Sequence, residues 1–174
     1  MRNLALLPSF DDNNALRVVV EAPRGSGLKL EYVPESDLFG VARSLPLGMA
    51  YPYDWGFVPG TLAADGDPVD ALALHSASSY PGVVLPCRLL GMVELMQKDN
   101  KGKPQVNNRL ITTPAWHESL THVDDARDLP RQIREQLEQF FVSVTALTGK
   151  KVKVNGWSNS RKALQFLRSC MRKP

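Results

Sequence analysis

Asp65-Gly66-Asp67-Pro68-Val69-Asp70 sets three carboxylates within six residues, on a segment that Gly and Pro hold still. Gly66 permits a tight turn, while Pro68 fixes its own φ and removes one backbone donor. The run that follows, Ala71-Leu72-Ala73-Leu74, is apolar and predicts buried structure. The acids therefore stand at the mouth of that buried segment rather than on a loose loop. Carboxylate oxygens are hard ligands, and several of them converging on one point is what Mg²⁺ or Mn²⁺ needs. Taken alone, the hexapeptide also fits a solvated acidic turn, since Asp, Gly and Pro are ordinary turn residues. It does not fit an EF-hand, whose sixth position must be Gly and whose twelfth is a bidentate Glu; here they are Asp70 and Ser76.

The rest of the chain narrows the class. Its 174 residues, 43% hydrophobic and 22% charged, suit one globular domain over 1–174 with a sizeable core. The two cysteines, Cys87 in an apolar run and Cys170 near the end, form no disulfide framework and point to a reducing cytosol. Leu4-Ala5-Leu6-Leu7 stops at Pro8, too short for a signal-peptide core or a bilayer span. These features predict a cytoplasmic protein with no membrane association. The net charge of +3 divides unevenly: residues 150–174 carry +8 and no acid, the remainder −5. A basic tail of this kind is either a solvated helix face or an anionic-partner site. Without RNA-binding aromatics or zinc-finger spacing, no nucleic-acid partner is expected.

Short strands are predicted at Arg17–Glu21, Leu28–Val33, Leu38–Arg43 and Ala71–Leu74, with a longer one at Val83–Met96 bulged or edged at Pro86. Gln97–Val106 reads as a loop, and Asn107–Thr113 as a strand. Asp128-Leu129-Pro130 opens a helix capped by Asp128, with Ile133, Leu137, Phe140, Phe141 and Val144 as its apolar stripe and Gly149 as its stop. A strand at Lys151–Val154, an Asn155-Gly156 turn and a helix capped by Ser158, burying Leu164, Leu167 and Met171, complete the pattern. Strands followed by helices indicate an α+β domain. In Leu28–Val33, Lys29 and Glu31 share one face while Leu28, Leu30 and Tyr32 take the other. On residues alone, Lys29 and Glu31 make a surface charged pair, Glu21 a strand terminus and Tyr51 a packing residue.

Upstream of the acids, Tyr51-Pro52-Tyr53-Asp54-Trp55-Gly56-Phe57-Val58-Pro59-Gly60-Thr61-Leu62 leads into the turn. The combined block resembles the centre of the family I soluble inorganic pyrophosphatases. The likeness extends to Glu21, Lys29, Glu31 and Arg43, through Asn107 to Pro114, and to Val152–Trp157. It implies a small closed antiparallel Greek-key barrel, OB-like, flanked by two helices. It also implies hydrolysis of pyrophosphate to two phosphates by metal-activated water, with Mg²⁺ (or Mn²⁺) as cofactor, in a homo-oligomer. By position in the motif, Asp65 and Asp70 are similar to the inner metal ligands and Asp67 to the acid that deprotonates the attacking water. Lys29, Arg43, Tyr51 and Arg109 match phosphate-binding positions. Glu21, Glu31 and Asn107 match contacts to the metals or their water.

Several positions depart from the family pattern. Of two further acids, the second falls at Asn107 and the first at Gln97 or Asp99. Arg109 stands for a Lys, Trp55 for a Tyr and Asp54 for an Asn, and Val144-Thr145 replaces a Tyr-Lys pair. A unit charge about 4 Å from a metal contributes about 4 kcal/mol at an effective dielectric near 20 before solvent compensation. The outer metal set is therefore expected to be weakened. The competing reading is a catalytically impaired relative that binds phosphate anions or a protein partner. None of Arg161, Lys162, Arg168, Arg172 and Lys173 matches a family site position.

Overall fold

The structure is a computed structural model that describes residues 3–98, 101–117, 120, 122–149 and 151–172. Nine strands and two α-helices are found among them: β1 (Leu16–Ala22), β2 (Leu28–Val33), β3 (Leu38–Ser44), β4 (Asp54–Val58), β5 (Val69–Ala73), β6 (Val84–Lys98), β7 (Pro104–Val106), β8 (Arg109–Pro114), α1 (Arg131–Val144), β9 (Lys153–Asn159) and α2 (Ser160–Cys170). Strands β1, β4, β5, β8 and β6 pair in that order, and β6 returns to β1, closing a ring. The expected OB-like barrel with two flanking helices is borne out, with one correction: β5 and β8 are parallel. The chain leaves β5, runs the opposite way along β6, and β8 turns back antiparallel to β6, so it lands beside β5 pointing the same way. The ring is mixed.

Strand β6 is the longest element at 15 residues and serves four neighbours in turn. Its first residues pair with β1, its middle with β8, and its end with β9 and β7. The bulge falls between Leu89 and Gly91 rather than at Pro86. Pro86 needs no bulge because it lies beyond the last β8 pairing and uses its carbonyl, which accepts from Ala115 N at 2.8 Å. The predicted Gln97–Val106 loop is partly a hairpin: β6 runs on to Lys98 and pairs with β7. β4 had no counterpart in the strand pattern; its Gly and aromatics mask the alternation.

Residues on the ring strands divide among three cores, the smallest of which joins Val19 and Phe57 to Tyr32 of β2. Val18, Val20, Ala71, Ala73, Met92 and Leu110 pack with Ala163 and Leu167 of α2. Leu72, Leu74, Val93 and Ile111 pack with Leu137, Phe140, Phe141 and Val144 of α1, the predicted helical stripe. Gly56 is required by close approach: a Cβ there would meet the Val19 carbonyl oxygen at 1.8 Å.

The helix ends and three strand or tail positions correct sequence expectations. Pro130 occupies the N-cap of α1 with no side-chain cap, because Asp128 already closes a 3-10 turn, Ala126–Asp128. The helix stops at Val144, before Gly149. Strand β9 continues through Asn155-Gly156, which bulges opposite Glu94 and Leu95 instead of turning. Asn159, not Ser158, caps α2 by accepting from Lys162 N at 2.9 Å. Met171 follows α2 and is exposed rather than buried, and Leu28 is likewise exposed. Cys87 is buried and Cys170 half-buried, both as free thiols.

Candidate active site

The acid turn is clamped at its neck. Thr61 is buried, donates its hydroxyl to the Val58 carbonyl at 2.6 Å and accepts from Val69 N at 2.9 Å, joining the end of β4 to the start of β5. Within the turn, Ala63 N donates to the Asp67 carbonyl at 2.7 Å and Gly66 N to the Ala63 carbonyl at 3.1 Å. Gly66 sits at φ +92, a left-handed conformation that side-chain-bearing residues avoid. Asp70 already belongs to β5, paired with Phe57 of β4, so its carboxylate stands on the barrel wall.

The β2–β3 hairpin supplies the facing groups. Lys29 and Arg43 are direct cross-strand partners. Like charges in that relation repel, a cost that an anion between them removes. Lys29 also contacts Glu31, two residues on. Arg43 donates to the Val144 carbonyl at 3.1 Å, tying the hairpin to the end of α1. Glu21, near the end of β1, accepts from Tyr32 N at 2.8 Å and so joins the hairpin to the ring.

All ten residues singled out by sequence line one cavity of about 1020 Å³: Glu21, Lys29, Glu31, Arg43, Tyr51, Asp65, Asp67, Asp70, Asn107 and Arg109. Gln97, Trp55, Val144 and Thr145, where the family pattern is broken, line it too. Gln97 is buried, so one departure lies on the wall; Asp99 is outside the described residues. Arg109 Nη1 meets Asp70 Oδ2 at 2.6 Å and also donates to Asn107 Oδ1, while its guanidinium lies 5.3 Å from the Trp55 ring centroid. Tyr51 is buried against Trp55 and Phe140, with ring centroids 5.6 and 5.5 Å away. Both readings of Tyr51 thus meet in one place: its ring packs in the core and its residue borders the cavity.

Sequence reasoning missed Arg172, which also lines the cavity. It lay in the basic tail, where no spacing distinguishes it from solvated neighbours. Only the path of the chain after α2 brings it back. Lys101, from the turn between β6 and β7, joins the lining as well.

Burial sets the electrostatics. It pushes the Glu21 carboxyl up to about 8, with the Asp70 and Glu31 charges adding and the Tyr32 N–H and Lys29 opposing. Asp70 is raised for the same first reason, with Asp65 and Asp67 adding and Arg109 and Lys29 opposing. The Tyr51 phenol is pushed well above its usual range by burial, so it stays a neutral donor at physiological pH. Two desolvated carboxylates sharing one wall favour a cation. Among the described residues no group of three His, Cys, Asp or Glu side chains is placed to hold a metal ion by itself. Mg²⁺ asks less of the protein, since it keeps several waters and takes one or two carboxylates plus substrate phosphates. The donor set fits a hard cation of this kind.

A mixed barrel with carboxylates and guanidinium or ammonium groups lining one cavity suits a protein that handles phosphoanions. The family model described as inorganic pyrophosphatase matches residues 18–173. The chain belongs to the inorganic pyrophosphatase family. It is 39% identical over 175 residues to the inorganic pyrophosphatase of Thermus thermophilus, covering 98% of this chain and 97% of that one. It is 34% identical over 171 residues to that of Saccharolobus solfataricus, covering 97% and 96%. The crystal structure of the Thermus thermophilus enzyme superposes with a TM-score of 0.88 over 97% of each chain. That of Helicobacter pylori gives 0.82, at 33% identity, over 94% and 95%.

Proposed function

We propose that this chain hydrolyses inorganic pyrophosphate to two phosphates with the help of Mg²⁺, Mn²⁺ serving in its place. The observation that carries the reading is the acid turn Asp65–Asp70 bordering the same cavity as the opposed cations Lys29 and Arg43. Asp65 and Asp70 hold the cation, with Glu21, Glu31 and the Asn107 amide contributing directly or through water. The divalent ion, when bound, neutralises the diphosphate and supplies Lewis acidity.

The chain's own residues do the rest. Lys29 and Arg43 bind phosphate oxygens, and the anion relieves their mutual repulsion. Arg109 holds a phosphate with its fork while its plane stays packed on Trp55. Tyr51 donates its phenol to a phosphate oxygen. Asp67, exposed on the turn, takes the proton of the attacking water. The family likeness further supports a single domain over 1–174, a homo-oligomer, and a cytoplasmic setting without a nucleic-acid partner. No helix among the described residues is long and apolar enough to cross a membrane.

Phosphate release from pyrophosphate should be rapid with added Mg²⁺ or Mn²⁺ and fall to the buffer rate with a chelator. A second reading, anion binding without turnover, draws on the amides Gln97 and Asn107 and on Val144-Thr145 in the lining. Release at the buffer rate in saturating Mg²⁺, with pyrophosphate still bound, would select that second reading.

A further inference from the structure

We propose that Arg172 is a substrate-binding residue of this site, carried into it by the strap of chain that follows α2. The proposal rests on the reading of pyrophosphate as substrate. After Cys170 the backbone turns extended and lies along the neck of the acid turn. Leu62 N donates to the Cys170 carbonyl at 2.7 Å, Met171 bridges Thr61, and Arg172 N donates to the Gly60 carbonyl at 2.9 Å. Thr61 is the residue whose hydroxyl fastens β4 to β5 at the base of the turn. The strap is thus held by main-chain bonds to Gly60, Thr61 and Leu62 at the base of the acid turn, and this sets where Arg172 begins.

The Arg172 side chain is exposed; its Nε donates to the Thr61 carbonyl at 3.3 Å, and the residue lines the cavity together with Asp65 and Asp67. A guanidinium carries five N–H donors in a planar fork, of which Nε–H is one. A fork oriented through Nε suits phosphate oxygens, which accept paired hydrogen bonds from it. The cation also answers a deficit. The wall formed by Val144 and Thr145 carries neither an ammonium nor a phenol, yet the substrate is a polyanion. Lys29, Arg43 and Arg109 supply charge from the hairpin and from β8; Arg172 supplies it from the side of the acid turn.

The test compares Arg172→Gln and Arg172→Lys with the parent and with Arg168→Gln, a residue of α2 outside the cavity lining. Initial rates over a pyrophosphate series at saturating Mg²⁺ give KM and kcat. Calorimetric titration with inorganic phosphate in Mg²⁺, and with pyrophosphate in chelator-containing buffer where turnover is absent, gives affinity independently of turnover. Arg172→Gln should raise KM about tenfold with kcat within about twofold, and weaken anion binding to match. Arg172→Lys should recover part of the loss, and Arg168→Gln should behave as the parent. Unchanged KM and anion affinity in Arg172→Gln would overturn the proposal. So would a loss confined to kcat, which marks a contact made only in the transition state, or one accompanied by a lowered melting temperature and not recovered by Lys, which marks a structural role. A parent that binds pyrophosphate without turning it over refutes the hydrolase reading and leaves Arg172 to be judged on affinity; a parent that binds neither anion overturns both.

Discussion

At the scale of single residues, the cavity lining mixes carboxylates and cations with the amides Gln97 and Asn107. Asn107 is buried and turned into the cavity, where its Oδ1 accepts from Arg109. Restoring a carboxylate there adds a negative charge beside Asp70 on the wall proposed to hold the cation. Part of that charge will be spent on Arg109, so the gain falls well below the unscreened Coulomb figure. Asn107→Asp should tighten Mg²⁺ binding about tenfold, or about 1.4 kcal/mol. Calorimetry without substrate checks this. Activity should rise most at low Mg²⁺ and converge with the parent at saturation. The acids were legible in sequence because they crowd a Gly/Pro turn, and Lys29 and Glu31 because period-two spacing puts them on one face. Arg172 was not legible, because its role depends on a strap whose course no local pattern encodes.

At the scale of elements, the long strand β6 is the spine, and one carboxylate on it fastens the second helix. Glu94 Oε1 meets Lys162 Nζ at 2.6 Å and accepts from Ser158 Oγ, joining β6 to the start of α2. Lys162 and Ser158 hold the Glu94 carboxyl below its ordinary value. A carboxyl lowered in the folded state stabilises above its unfolded pKa, about 4.3, and that stability is lost as pH falls through the folded value. The pair is partly exposed, so solvent screening limits it. Glu94→Gln should cost about 0.5–1 kcal/mol at pH 7, and the difference from the parent should shrink toward zero near pH 3, read from denaturant midpoints. Strand existence was legible where apolar residues alternate, as in β2, or run on between turn residues, as in β3. Strand ends and the parallel β5–β8 pair were not, because they depend on which strand lies alongside. The cap of α2 was misplaced by one residue, since Ser158 and Asn159 are both good caps and Ser158 is drawn to Glu94.

At the scale of the whole molecule, a mixed ring and two helices bring ten residues from six separated stretches of chain to one cavity. The likeness of the Tyr51–Asp70 block supplied the barrel, which periodicity alone does not give. What the hairpin and the ring add is relative position: Lys29 opposite Arg43 in the hairpin, Asp70 against Arg109 on the ring, and the acid turn anchored at Thr61. In the proposed reaction that turn divides its labour, Asp65 and Asp70 holding the cation and Asp67 moving the proton. Asp67→Asn tests it most directly when thermal stabilisation by Mg²⁺ and phosphate release are followed in the same Mg²⁺ titration. The variant should keep most of the metal-dependent rise in melting temperature while losing at least about a hundredfold in rate. Near-parental release by Asp67→Asn at saturating Mg²⁺ would contradict the account.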